Sequence, residues 1–330
     1  MSEKSIHYGV LLGSFVVGAF AFLHGTSRSS RSLGATATSL LALVPRDAAF
    51  ELTCDFAQLR KSDLGSMATK QLSRLGGGSD LSQRCGFDPL ALIERLAIAA
   101  PTGTEAAGES LNDFAIVASG HFKAEALVSC AERVIGDRGG EPARSSIGSL
   151  MSVRDRKGAG GELAARDDGP LIVSGGAYFR ELVDLANTAA SAGAIAARNP
   201  LHSGLRKALG DGTIVASWLV PKGWFERVAD DERAKVSALA AVHSVGARLD
   251  VANDVRVTVL LDAADTQSAE RVTTLLSQLR QSVSTLLPDP LLATLAKRIV
   301  LSQRAEQVFL RAELSLSEAR TLLERVGEPP

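Results

Sequence analysis

"DFAIVASGHFKAEALVSCAERVIG", residues 113–136, decides the fold. Its first ten residues place Phe114, Ile116 and Ala118 on one side of an extended chain, the period of a strand. The next fourteen repeat apolar residues at helical spacing, Ala124, Leu127, Val128 and Ala131, and Gly136 offers a stop. A strand thus runs straight into an amphipathic helix. The same order returns in "DVRVTVLLDAADTQSAERVTTLLSQLR", residues 254–280, and Ala-Glu-Arg-Val stands in both helices, at 131–134 and 269–272.

Outward from this pair, further segments match in order. "AFELTCDF" (49–56), with Phe50, Leu52, Cys54 and Phe56 on one face, is answered by "GTIVASWLV" (212–220). "RLAIAAP" (95–101) is answered by "SVGARLDV" (244–251), and "LIVSGGAYFRELVDLA" (171–186) by "QVFLRAELSLSEARTLLERV" (307–326). In the last of these, Ser315 and Glu318 have the spacing of a capping box. Between the first and last strands of the leading half, "SLMSVRD", "ELAAR" and "LIVSG" form a meander, its turns supplied by "RKGAGG" and "DDGP". A single α+β domain also alternates in this way; the matching order and the shared tetrapeptide favour two similar units, 42–198 and 199–330. The strands carry too many polar residues for an all-parallel buried sheet. The expected fold is therefore α+β, with antiparallel sheets and helices packed on one side.

The chain begins differently. Residues 8–23, "YGVLLGSFVVGAFAFL", carry no charge over sixteen positions, about 24 Å of helix. With Ile6, His7 and His24 the run comes within reach of a bilayer core of about 30 Å. No small-x-small site stands just past it, as a cleaved signal peptide requires, and apolar residues on every face suit a buried first helix poorly. The reading is an uncleaved transmembrane anchor over 1–25 that touches the membrane through residues 6–24. A flexible tether, "TSRSSRSLGATATSLL" (26–41), follows it. Lys4 on one flank against Arg28 and Arg31 on the other leaves the orientation undecided on charge alone, or leaning slightly toward a cytosolic body.

Composition narrows the function. A net charge of −1 without a basic run excludes a nucleic-acid surface, and 5% aromatics disfavour a stacking platform for bases or sugars. Arg outnumbers Lys threefold and Ala is abundant, the mark of a GC-rich genome.

"LVPRDAAFELTCDFAQLRKSDLG", "CGFDPLALIERLAIAAP" and "DFAIVASGHFKAEALVSCAERV" together resemble uncharacterised, N-terminally anchored or exported envelope proteins of GC-rich, myxobacterial-type bacteria. The sharpest motif is Cys85–Leu90. The resemblance spans most of residues 42–330. It implies an exported α+β body on the periplasmic side of a bacterial inner membrane and supplies no activity or catalytic residue. It also implies that Cys85 and Cys130 go together, since a Cys in that turn and a Cys in that helix pair in the group. Such a bridge requires an oxidising compartment. Three free, buried thiols remain the alternative, with Cys54 on the apolar face of its strand.

No short catalytic motif stands out. His121 and Glu125 lie four apart at a helix start, and two ligands do not make a metal site. His202 and His243 have no nucleophile in a recognisable setting, and no Gly-x-Ser-x-Gly occurs. Gly158, Gly160 and Gly161 miss the dinucleotide spacing, and no cofactor is expected. Asp230, Asp231 and Glu232 read as a helix start. Trp224 and Phe225, in "PKGWF", read first as a core pair that anchors a helix and second as the candidate contact for a partner protein or lipid. The expected function is non-enzymatic binding or scaffolding at the envelope; the alternative is a hydrolase with a dispersed site.

Overall fold

The computed structural model describes residues 40–45, 47–67, 78–101, 114–158, 161–176, 178–192, 199–221, 237–286 and 289–326. The anchor, nearly all of the tether and the Trp224–Phe225 pair lie outside the described residues. Among the described residues, no helix is long and apolar enough to cross a membrane.

Twelve strands form among the described residues. The first half supplies β1 (Phe50–Asp55), β2 (Ile93–Ala100), β3 (Phe114–Gly120), β4 (Pro142–Ile147), β5 (Leu150–Asp155), β6 (Glu162–Ala165) and β7 (Leu171–Gly175). The second supplies β8 (Ile214–Leu219), β9 (Val242–Val251), β10 (Asp254–Ala263), β11 (Val300–Arg304) and β12 (Gln307–Ser315). The helices are α1 (Phe56–Leu59), α2 (Gly78–Cys85), α3 (Ala124–Asp137), α4 (Tyr178–Ala192), α5 (Pro200–Leu209), α6 (Thr266–Leu286), α7 (Pro290–Arg298) and α8 (Leu316–Val326).

All twelve strands join one sheet in the order β11-β12-β10-β9-β8-β1-β2-β3-β7-β6-β5-β4. Each neighbouring pair is antiparallel. The expectation of a separate sheet in each half is therefore corrected. β1 and β8 exchange a full ladder, with Leu52 opposite Ala216 and Cys54 opposite Ile214, so the sheet continues from one half into the other.

Helices lie on both faces, which corrects the expectation of one-sided packing. On one face Leu52, Cys54, Leu96, Ala118, Ile214, Ala216, Leu249 and Val255 share a core with Phe56, Leu59, Leu127 and Ala319, drawn from α1, α3 and α8. Further out on that face, α6 sets Ala269, Val272 and Leu276 against Leu261 and Val308. On the opposite face Ala97, Ala99, Ala115, Val117, Ala164 and Ile172 receive Tyr178, Phe179, Leu182, Val183 and Ala186 of α4, together with Leu40, Leu41 and Leu43. There α5 seats Leu205 and Leu209 on Val215, Leu260 and Phe309. The physical reason is the content of the second parity. Ala97, Ala99 and Ala115 look like gaps in an alternating strand, but small residues let a helix approach closely. Each large apolar side chain buried there contributes about 1.5–3 kcal/mol.

Local signals explain most element boundaries. Asn199 caps α5 through the Leu201 N–H at 3.0 Å, with Pro200 in the first turn. Asp289 does the same for α7, accepting from Leu291 and Leu292. Ser315 and Glu318 form the expected reciprocal cap: the Ser315 N–H donates to Oε2 at 2.9 Å, and the Glu318 N–H donates to Ser315 Oγ at 3.3 Å. The tether boundary is also refined, because Leu40 and Leu41 are already buried.

Candidate functional site

The motif Cys-Gly-Phe-Asp-Pro-Leu at 85–90 builds one wall of a surface groove of about 340 Å³, lined by Phe87, Leu92, His121, Phe122, Lys123, Ala126 and Asp168. Each residue of the motif has a local task. Cys85 ends α2 and forms a disulfide with Cys130 of α3, Cα atoms 4.8 Å apart, so the two expected partners do meet. Gly86 adopts φ +76°, a conformation that favours glycine. Asp88 Oδ1 accepts the Leu90 N–H at 3.0 Å and starts the short 3₁₀ turn Leu90–Leu92. Phe87 is left facing the groove with Leu92, Phe122 and Ala126.

The opposite wall hangs on the end of β3. The His121 N–H donates to the Leu92 carbonyl at 3.0 Å, and a Cβ on Gly120 would collide with that carbonyl. Asp167 then ties the start of α3 twice: Oδ1 accepts from the Ala124 N–H and Oδ2 from Lys123 Nζ, both at 2.9 Å. The Lys123 ammonium and that amide hold the Asp167 carboxyl below its ordinary range, while Asp167 raises Lys123. The Asp168 N–H donates to the Phe122 carbonyl at 3.0 Å. Below the groove, Arg133 donates to the Cys85 carbonyl at 2.8 Å and Arg84 pairs with Asp137 at 2.7 Å. The result is an apolar floor between one cationic and one anionic rim residue, on a backbone pinned from both sides.

The histidines are placed otherwise than paired ligands would be. His121 Nε2 lies 3.2 Å from Glu94 Oε1 and turns away from Glu125, which binds Arg144 at 2.7 Å. The second half carries a similar couple, His243 Nε2 to Asp262 Oδ2 at 3.2 Å. Among the described residues no cluster of three or more His, Cys, Asp or Glu could hold a metal.

His202 is the fully buried histidine. Its Nε2 stands 3.0 Å from the Ala48 carbonyl and its Nδ1 2.7 Å from Ser217 Oγ. A carbonyl only accepts, so Nε2 carries the proton and Nδ1 accepts from the serine hydroxyl. The contact has the form of a nucleophile and base, but Ser217 is 1% exposed and His202 0%. Beside it, on the same face of the β1–β8 seam, Arg206 reaches Glu51 at 3.6 Å and Thr53 Oγ1 at 3.1 Å. This buried polar cluster clips α5 and the chain at Ala48 onto the seam and offers no surface to a substrate.

A second concavity of about 390 Å³ is lined by Arg154, Asp155, Arg156, Gly158, Glu162, Ser174, Gly175, Gly176 and Phe179. Two of its charges are engaged: Asp155 accepts the backbone N–H of Glu141 and Lys157, and Arg156 pairs with Glu141. Burial raises the Glu162 carboxyl, with Arg154 opposing. Cys54 is free and buried, and burial pushes its thiol up, so it is chemically inert.

The groove residues went unassigned in the sequence because Phe87, Leu92 and Phe122 look like ordinary core residues. The available signal was the density of turn formers between Cys85 and Pro89.

No family model and no curated protein sequence matches the chain. In structure it is similar to TP0453 in crystal form III, with a TM-score of 0.51 at 9% identity, covering 86% of this chain and 97% of that one. A second crystal form of TP0453, form I, aligns at a TM-score of 0.47 and 10% identity. The likeness to form III concerns the fold alone.

Proposed function

We propose that this chain is a membrane-tethered envelope protein that binds an apolar or amphipathic segment of a partner rather than transforming a substrate. Residues 6–24 hold it in a bacterial inner membrane, and the body works on the periplasmic side. The observation that carries the binding reading is the groove at Phe87, Leu92, Phe122 and Ala126. A pinned backbone reduces the ordering cost of association, and an apolar floor with Lys123 and Asp168 at its rim suits recognition without chemistry. The disulfide supports export, because such bridges persist in oxidising compartments. The hydrolase alternative draws no support from Ser217 and His202, which are buried between β8 and the inner face of α5.

We further read the body as two related units. Outward from the β1–β8 seam, the strand order β1-β2-β3-β7 has its counterpart in β8-β9-β10-β12, with α3 after β3 and α6 after β10. The imidazole–carboxylate couples support this reading, since Glu94 and His243 each follow the first residue of β2 and β9. The hairpin of β4 and β5 is then an addition to the first unit. The placement of α4 and α8 on opposite faces is a divergence.

The test is a photo-crosslinking residue at Ala126 in the native envelope, with Arg256 on the distal sheet as control. A discrete adduct at Ala126 that is lost on Phe87→Asp is the expected result. Equal labelling at both positions, or labelling indifferent to Phe87→Asp, would overturn the groove as a binding site.

A further inference from the structure

The groove at Phe87, Leu92, Phe122 and Ala126 is bordered by three ionisable side chains, His121, Lys123 and Asp168, and their balance is uneven. Lys123 is matched: its Nζ lies 2.9 Å from Asp167 Oδ2, and the hydrogen bond and charge of Asp167 raise it, with Asp168 adding to the pull. His121 sits against Glu94, Nε2 to Oε1 at 3.2 Å. Asp168 has no such counterpart, since among the described residues its carboxylate takes part in no hydrogen bond or ion pair. The neighbouring arginines are turned elsewhere. Arg166 donates to the Gly169 carbonyl at 3.0 Å and to Ser149 Oγ at 3.3 Å, and Arg133 donates to the Cys85 carbonyl at 2.8 Å. The backbone of Asp168 is also fixed. Its N–H donates to the Phe122 carbonyl and the Gly169 N–H to the Arg166 carbonyl, each at 3.0 Å. Its φ of +58° lies in the left-handed region, which Asp tolerates better than most residues. An exposed carboxylate on a pinned turn thus borders an apolar floor.

Resting on the groove as the binding site, we infer that its occupant is a basic segment of a partner protein, with a Lys or Arg set among apolar side chains. The apolar residues cover Phe87, Leu92, Phe122 and Ala126, and the cation reaches Asp168. Phe87 and Phe122 add to the preference, because a cation over a phenyl face is attracted by the ring. Arg suits both features, since its planar fork meets a carboxylate on two bonds and stacks on aromatic rings. Charge complementarity decides against the other occupants. An acidic segment would set a carboxylate against Asp168 and find the groove's lysine already matched by Asp167. A phospholipid would bring its phosphate to the same rim and meet the same mismatch. The volume of about 340 Å³ also suits a few side chains rather than two acyl chains.

The experiment extends the photo-crosslink at Ala126 to isolated envelopes carrying the full chain, with the cross-linked peptide identified by mass spectrometry. Asp168→Asn keeps the side-chain size and the left-handed backbone, and is expected to lower the adduct about threefold, the worth of one exposed charge contact. Asp168→Lys is expected to lower it about tenfold, because it sets like charges together. Lys123→Gln, which uncovers Asp167, is expected not to lower it. Added salt should reduce the adduct of the chain with Asp168 in place and leave that of Asp168→Asn flat. The cross-linked peptide should carry Lys or Arg between apolar residues. An adduct indifferent to Asp168→Asn, one that grows on Asp168→Lys or falls on Lys123→Gln, a cross-linked peptide without a basic residue, or a lipid adduct would each overturn this inference. In those cases a retained dependence on Phe87 leaves the groove standing as a binding site. An adduct indifferent to Phe87→Asp overturns both.

Discussion

Breaking the Cys85–Cys130 bond by Cys85→Ser with Cys130→Ser should destabilise the body by about 4 kcal/mol. The bridge spans 45 residues, and the entropy of closing such a loop in the unfolded chain amounts to about 13 cal/mol/K, or about 4 kcal/mol at 25 °C. The loop encloses β2 and β3, which pair with each other and, through β1 and β7, with the rest of the sheet. A looser closure therefore reaches the whole body rather than a surface flap. With a urea dependence of about 3 kcal/mol per molar, the midpoint falls by roughly 1.3 M. The assay is urea unfolding of the purified chain, oxidised and reduced, followed by far-UV circular dichroism. The double variant should match the reduced protein and show no further response to reductant, while Cys54→Ala keeps the full response. If oxidised and reduced chains unfold at the same urea concentration, the bond contributes nothing and the loop-closure reasoning is wrong.

Other expectations follow from particular side chains. His202→Ala removes the partners of Ser217 and the Ala48 carbonyl and leaves a cavity beneath α5, at a cost of about 2–4 kcal/mol in the same unfolding assay. Leu182→Ala, at 0% exposure in the α4 face, costs about 2–5 kcal/mol. Glu125, Asp155, Asp167, Asp265 and Glu318 all have carboxyls held below their ordinary range, so their contribution is present above the unfolded pKa of about 4 and disappears as pH falls through the lower folded values. Urea midpoints should thus drop between pH 5 and pH 3, and Asp167→Asn should flatten that dependence. Glu162 has the opposite sign: burial raises its carboxyl, so ionisation costs stability once pH exceeds the unfolded value. Glu162→Gln should therefore raise the midpoint at pH 7 and leave it unchanged near pH 3; a lower midpoint at pH 7 would contradict the burial account.

Much of the architecture was legible because it is local. The alternation in 113–122 and the helical spacing in 123–136 gave β3 and α3, and the Ser315–Glu318 spacing gave the cap of α8. Phe50, Leu52, Cys54 and Phe56 share the face that the alternation assigned them. β4 and β11 were not legible. "PARSSI" and "VLSQR" are short and mostly polar, and edge strands bury too little to show a period.

By itself the sequence determined most of the elements, with β4 and β11 excepted, their order and the turn chemistry of Cys85–Leu90, all set by backbone preferences within a few residues. Only the tertiary structure decided that the strands form one continuous sheet, because the β1–β8 ladder joins residues more than 150 positions apart. It also decided that Ala97, Ala99 and Ala115 admit a second layer of helices, which turned Glu51, Thr53 and Ser217 from solvated positions into a buried cluster. Whether a polar side chain meets water or a partner depends on what is packed above it, and no periodicity in the strand records that.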